Sequence, residues 1–152
     1  MKTNKILKED SLLLNLQVND RDDAIRKISK FLSSRVKGVN ADFLARELIR
    51  RENEGPPIAT RKGFTILHLR VKRLDGIYGV AVRLTKGVDF GEPNGNLTRL
   101  VFMFVNPLER NEDYLRLLSR INRLLSKDKV NEKLFDARTK QEFLNALAEY
   151  DV

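Results

Sequence analysis

A chain of 152 residues, 41% of them hydrophobic, is long enough to bury one core and matches the size of one domain. It has no cysteine and a single histidine, which excludes disulfides, thiolate metal sites and cysteine nucleophiles and leaves a zinc site without its usual ligands. Lys and Arg number 29 against 21 Asp and Glu; the formal charge of +8 favours an acidic partner surface, a phosphorylated ligand or nucleic acid, although both signs are interspersed as on an ordinary solvated surface.

The N-terminus, Met1-Lys2-Thr3-Asn4-Lys5-Ile6-Leu7-Lys8, lacks the apolar core of a secretory signal. No run approaches the roughly 20 apolar residues of a membrane span. A cytoplasmic protein is the expectation. The first strand is predicted over residues 12–18, where Leu12-Leu13-Leu14-Asn15-Leu16 reads as largely buried. Asn19 and Asp20 offer caps for a helix over 21–36, with Ala24, Ile25, Ile28, Phe31 and Leu32 at helical spacing and Gly38 as a left-handed stop. Asn40 caps a second helix over 41–53, whose buried stripe is predicted as Phe43, Leu44, Leu48 and Ile49. Gly55-Pro56-Pro57 ends it, because proline cannot continue a helix.

Three strand signals follow. Alternation over 64–71 puts Phe64, Ile66, His68 and Arg70 on one face and Thr65, Leu67, Leu69 and Val71 on the other. A basic loop, Thr60-Arg61-Lys62-Gly63, leads into it. The second strand is predicted over 77–84, and the third, a continuous apolar run, over 100–105 as a central strand. Residues 86–96 read as a loop rich in turn chemistry. In the last third, Asn111 caps a helix over 112–126 with Leu115, Leu118, Ile121, Leu124 and Leu125 as its apolar face. A short helix is predicted around 130–135. Thr139 and Glu142 then form a capping box ahead of Phe143, Leu144 and Leu147. Strands and helices in mixed order predict an α/β fold: a single domain over residues 1–152, with a mixed β-sheet flanked by helices on both faces.

The motif catalogue is otherwise nearly empty. There is no phosphate-binding glycine loop ending in Lys-Ser/Thr, no G-x-S-x-G elbow and no H-E-x-x-H helix. His68 has two readings from the residues alone. It is a strand histidine with no chemistry, or an imidazole set among cations as a nucleophile for phosphoryl groups.

The order of the pieces resembles the active-site signature of enzyme IIA domains of the mannitol/fructose type, with their nitrogen-regulatory branch, from the bacterial sugar phosphotransferase system. The pattern R-E … G-I-A-I-P-H-G is matched by Arg51-Glu52 and Gly63-Phe64-Thr65-Ile66-Leu67-His68. Tyr78-Gly79-Val80-Ala81-Val82-Arg83-Leu84, Gly87-Val88-Asp89-Phe90, the run Leu100-Val101-Phe102-Met103-Phe104-Val105-Asn106-Pro107 and Asp113-Tyr114-Leu115-Arg116-Leu117-Leu118 resemble further family segments in the same order.

The resemblance implies phosphoryl transfer from a histidine-containing phosphocarrier protein onto His68, with Arg51 in the place of the family's active-site arginine. Tyr114 stands where the family has a second histidine, and is expected to supply one O–H hydrogen bond. Arg61, Lys62 and Arg70 are candidates for phosphate or partner binding through their positive field. No metal or organic cofactor is expected for this chemistry. Further partners implied are a IIB domain, a transporter or a regulatory target protein. Leu67 and Leu69 replace the family's proline and glycine beside the histidine, so the alternative is a diverged regulatory module of the same fold acting by protein binding. A basic nucleic-acid-binding domain rests on net charge alone.

Overall fold

The computed structural model describes residues 2–55, 60–109 and 111–151, and at Thr60 and Arg61 the backbone alone. Its centre is the apolar run foreseen as a central strand. This is β5 (Thr98–Pro107), and apart from Arg99 every residue in it is buried. A strand covered on both faces has no polar side, which is why it reads as continuous rather than alternating. The other strands are β1 (Leu12–Leu16), β2 (Thr60–Arg61), β3 (Phe64–Val71) and β4 (Tyr78–Val88). They form one sheet in the order β1-β4-β5-β3-β2. β1 lies parallel to β4 and β3 parallel to β5, while β4 runs antiparallel to β5. Among the described residues β2 pairs antiparallel with the first two residues of β3. The sheet is therefore mixed.

Five helices cover it: α1 (Arg21–Arg35), α2 (Ala41–Glu54), α3 (Glu112–Leu125), α4 (Asp128–Asp136) and α5 (Lys140–Tyr150). Alternation along the strands divides the core between the two faces. Leu67, Leu69, Val80, Val82, Val101, Met103 and Val105 pack with Ile25, Ile28, Leu44 and Leu48 of α1 and α2. Phe64, Ile66, Ala81, Leu100, Phe102 and Phe104 pack with α3, α4 and α5. The expected α/β architecture, one mixed sheet with helices on both faces, is present. Among the described residues no helix is long and apolar enough to cross a membrane.

The caps at Asp20, Asn40 and Thr139 form as expected, each side chain accepting from a backbone N–H three residues on, at 2.8, 2.9 and 3.1 Å. Asn111 does not: it occupies the cap position of α3 in a helical conformation, and its side chain makes no cap bond. β1 ends at Leu16, two residues short of the expectation, and within it Asn15 takes a left-handed conformation, φ 70°, where the register with β4 shifts between Leu14 and Leu16. β4 runs on to Val88, which pairs with Thr98, so the loop expected from residue 86 starts later. Two predicted stripes are rotated. Phe43 is 45% exposed and Ala45 takes its place in the core of α2. Leu115 is 53% exposed, while Tyr114 and Leu117 turn inward. In α3, leucines populate two neighbouring helical phases; the phase that starts at Tyr114 lies over β3 and β5. The proline stop at 56–57 falls outside the described residues.

Candidate functional site

β3 carries His68 toward α3, on the same face as Phe64 and Ile66. Leu67 and Leu69 point the opposite way, into the core against α1 and α2, so their bulk does not crowd the imidazole. Parallel pairing sets His68 opposite Phe104 and Arg70 opposite Asn106. Asn106 thus faces the same layer, one step further along the neighbouring strand. Its side-chain Oδ1 meets His68 Nε2. Diagonal neighbours on one face of a sheet are within reach of long side chains, which explains the contact.

The ring of Tyr114, at the start of α3, lies flat on the imidazole: the centroids are 3.5 Å apart and the planes 6° from parallel. Tyr114 is 8% exposed, and burial pushes its phenol up to about 12. The contact between Tyr114 and His68 is a stack of rings, because the inward phase of α3 delivers the face of the ring to His68. Phe104 supports the stack from beneath, its ring 6.3 Å from that of Tyr114. It can do so because Gly79 stands opposite it in β4: a Cβ there would come within 2.3 Å of the Phe104 ring.

Arg51 sits in the last turn of α2, and its Nη1 donates to the backbone carbonyl of His68 at 3.1 Å. The guanidinium therefore bonds to the main chain of the histidine, and its charge acts on the ring. Among the described residues β2 pairs with β3 at Phe64 and Thr65, and Arg51 bonds a carbonyl of β3 further along. Arg70 shares the His68 face of β3 and is exposed.

These surroundings act together on the imidazole. Half-burial disfavours its cation most, and the charges of Arg51 and Arg70 add to this. The bond to Asn106 opposes them, and the net effect lowers the pKa from 6.5 to about 4. At neutral pH the ring is neutral and keeps a lone pair.

Lys62 does not join the group. It lies six residues up the chain from His68, roughly 20 Å along the strand, and its ammonium pairs with Asp128 at the start of α4 at 3.1 Å. The side chain of Arg61 lies outside the described residues. Three charged or polar residues were missed by pattern reading. Asn106 is the most informative, and its signal was present: a polar residue closing an apolar strand in phase with Phe102 and Phe104. Arg83 is buried and donates to the carbonyls of Leu134 and Phe135, the last turn of α4, at 2.9 and 3.1 Å. Glu52, next to Arg51, is half-buried with Oε2 lacking a hydrogen-bond partner, and burial raises its pKa against the pull of Arg21.

The family described as "Phosphoenolpyruvate-dependent sugar phosphotransferase system, EIIA 2" matches residues 5–150. A nitrogen regulatory protein from Bradyrhizobium diazoefficiens is 30% identical over 139 residues, which are 91% of this chain and 90% of that one. The crystal structure of nitrogen regulatory protein IIA-Ntr from Neisseria meningitidis superposes with a TM-score of 0.85 at 21% identity, covering 94% of this chain and 97% of that one. Enzyme IIA for mannitol from Escherichia coli, solved in complex with phosphorylated enzyme IIB, superposes with a TM-score of 0.72 at 19% identity over 95% and 99% of the two chains.

Proposed function

This chain belongs to the EIIA 2 family of the phosphoenolpyruvate-dependent sugar phosphotransferase system, and from that premise we propose that it is a phosphohistidine carrier and regulator. His68 takes a phosphoryl group from a histidine-containing phosphocarrier protein. The observation that carries this reading is the setting of His68: a partly exposed imidazole stacked on Tyr114, with Arg51 bonded to its carbonyl and Arg70 exposed on the same strand face; burial and these two charges lower its pKa and keep it neutral. Neutral imidazole is nucleophilic where imidazolium is not. Phosphoryl transfer asks mainly for position and for charge to meet the transferred oxygens. The stack on Tyr114 and the contact with Asn106 supply the first. Arg70 is free to supply the second from the exposed part of the same face, and Arg51 can do so by leaving the carbonyl it holds.

Incubation with the phosphorylated carrier, the phosphate radiolabelled, tests the reading. Label on wild-type protein and none on His68→Ala is the expected result. Absence of label on the wild type contradicts it.

A second reading has an observation of its own. The relative at 30% identity over most of both chains is a nitrogen regulatory protein, and here Tyr114 closes one face of the His68 ring. On this reading the chain regulates by binding a target protein, and phosphorylation of His68 sets which state binds. A IIB domain, by analogy with the mannitol complex, is the onward acceptor on the transport reading. Onward transfer from the labelled protein to a IIB domain separates the two.

A further inference from the structure

The carboxylates of α3 are confined to its first turn, Glu112 and Asp113. Beyond them the outer side of the helix carries Arg116, Ser119, Arg120 and Arg123, which line a shallow hollow of about 390 Å³ together with Leu115. Arg116 and Arg120 are four residues apart and Arg120 and Arg123 three, so each guanidinium neighbours another of the same sign, a spacing that costs a helix stability. Lys27, Arg50 and Lys133, on α1, α2 and α4, each bond a carboxylate. Among the described residues neither Arg116 nor Arg123 has an ion pair. Arg120 has one, to Asp151 at 2.5 Å, but that carboxylate is buried and also accepts from the N–H and O–H of Thr3. Asp151 thus anchors Arg120 between two unpaired arginines, and the hollow stays positive. The negative end of the helix dipole favours Arg123 in the last turn; it does not reach Arg116.

Two features identify what fits. The charge follows a stripe rising about 10 Å from Arg116 to Arg123, and Leu115, 53% exposed, gives the hollow an apolar edge. An antiparallel helix with carboxylates at i, i+3 and i+7 repeats this spacing, and an apolar residue beyond the last carboxylate covers Leu115. Guanidinium forks take carboxylates two bonds at a time. A nucleic acid brings phosphates but nothing for Leu115, and no aromatic ring lines the hollow for a base to stack on.

We propose that the Arg116–Arg120–Arg123 stripe of α3 is a docking surface for an acidic amphipathic helix of a partner protein. The proposal rests on the regulatory reading given above and names the chemistry of its target. Arg116 and Arg123 supply free guanidinium groups. Arg120, held by Asp151, is ordered before the partner arrives, which lowers the entropic cost of the contact. Tyr114 and its stack on His68 lie on the inward side of the same helix, so the stripe faces away from the imidazole.

The probe is a synthetic fluorescent helix with glutamates at i, i+3 and i+7 and a leucine beyond the last. A copy with lysines in place of the glutamates, and polyuridylate, are the comparisons. The expected result is saturable binding of the glutamate helix to the full chain, weakened by salt, with amide shift changes in α3 from Leu115 to Arg123. Arg116→Glu combined with Arg123→Glu should weaken binding at least about tenfold, and the lysine helix should bind that variant instead. Both arginines are exposed, so the variant keeps its fold, which its amide spectrum verifies. Arg26→Glu combined with Lys30→Glu, on the exposed side of α1, makes the same change in net charge and should leave binding within about twofold. No binding of the glutamate helix, equal weakening by the α1 pair, or preference for polyuridylate on the same stripe overturns the proposal. Onward phosphoryl transfer to a IIB domain decides the regulatory reading by itself, whatever the helix does, so the two failures are distinguishable.

Discussion

Tyr114 lies on His68 face to face, ring centroids 3.5 Å apart, so a buried aromatic ring of α3 is in direct contact with the proposed nucleophile. Aromatic pairs usually prefer offset or edge contacts. This one is held by the burial of Tyr114 under α3 and by the Phe104 ring that Gly79 admits. The stack depends on the ring and not on the hydroxyl. Tyr114→Phe is therefore expected to keep the titration of His68 and most of its phosphoryl uptake. Tyr114→Ala is expected to expose the imidazole, raise its pKa toward 6.5 and destabilise the protein by about 3 kcal/mol. Histidine NMR titration and chemical denaturation of the two variants check this.

The imidazole itself should titrate with a midpoint near 4. The unfolded chain takes up this proton near 6.5 and the folded one only near 4, so the stability associated with His68 is present at neutral pH and is lost as the pH falls between those values. Below about 4 this group removes no more. The full shift corresponds to about 3 kcal/mol, reduced to about 1–2 because solvent reaches the half-buried ring. Between pH 7 and pH 4 the denaturation midpoint of the wild type should fall relative to that of His68→Gln accordingly. Parallel pH profiles contradict the assignment.

Arg51→Ala removes the donor to the His68 carbonyl and one positive charge near the ring. The expected outcome is a higher His68 pKa, a stability change within about 1 kcal/mol for this exposed side chain, and phosphoryl uptake slowed roughly 10- to 100-fold. Arg70→Ala should raise the pKa in the same direction without touching the carbonyl. Lys62→Ala, which loses only the ion pair to Asp128, should leave uptake unchanged. Single-turnover uptake by the three variants tests the division of the cations made here.

Gly79→Ala reads out the support beneath the site. A methyl group at this position meets Phe104 ring atoms at 2.3 and 2.5 Å, so Phe104 must move and Tyr114 with it. Destabilisation of about 1–3 kcal/mol is expected, together with a changed His68 chemical shift in the variant that still folds. An unchanged shift would show that the Phe104–Tyr114–His68 sequence of contacts does not transmit the change.

Much of this was readable before any coordinates. The β5 run Leu100-Val101-Phe102-Met103-Phe104-Val105 has the composition of a strand buried on both faces, and it is one. The alternation from Phe64 to Arg70 placed His68 away from Leu67 and Leu69, and the core divides that way. Helix phase was harder. α3 offers Leu115 and Leu118 on one side and Tyr114 and Leu117 on the next, and hydrophobicity alone favoured the leucines. What decides is the His68 ring and the adjoining strands that wait under Tyr114, a tertiary fact. Lys62 looked close to the site because it is close in sequence; the extended strand carries it to the other end of the sheet. In the sequence Asn106 reads only as part of a strand, because the register that sets it diagonally beside His68 is long-range information.

The account rests on one atom group accepting phosphate, and the chain offers an unusually clean way to ask. His68 is its only histidine, and cleavage after Lys62 and Arg70 isolates residues 63–70. The most direct measurement is mass spectrometry of that peptide after reaction with the phosphorylated carrier protein, with samples held in acid and in base before analysis. One phosphoryl group on the peptide from residue 63 to residue 70, lost in acid, kept in base and absent from His68→Ala, is the predicted result. A wild-type peptide that takes up no phosphate, or one whose phosphate survives acid as a hydroxyl ester does, contradicts the account.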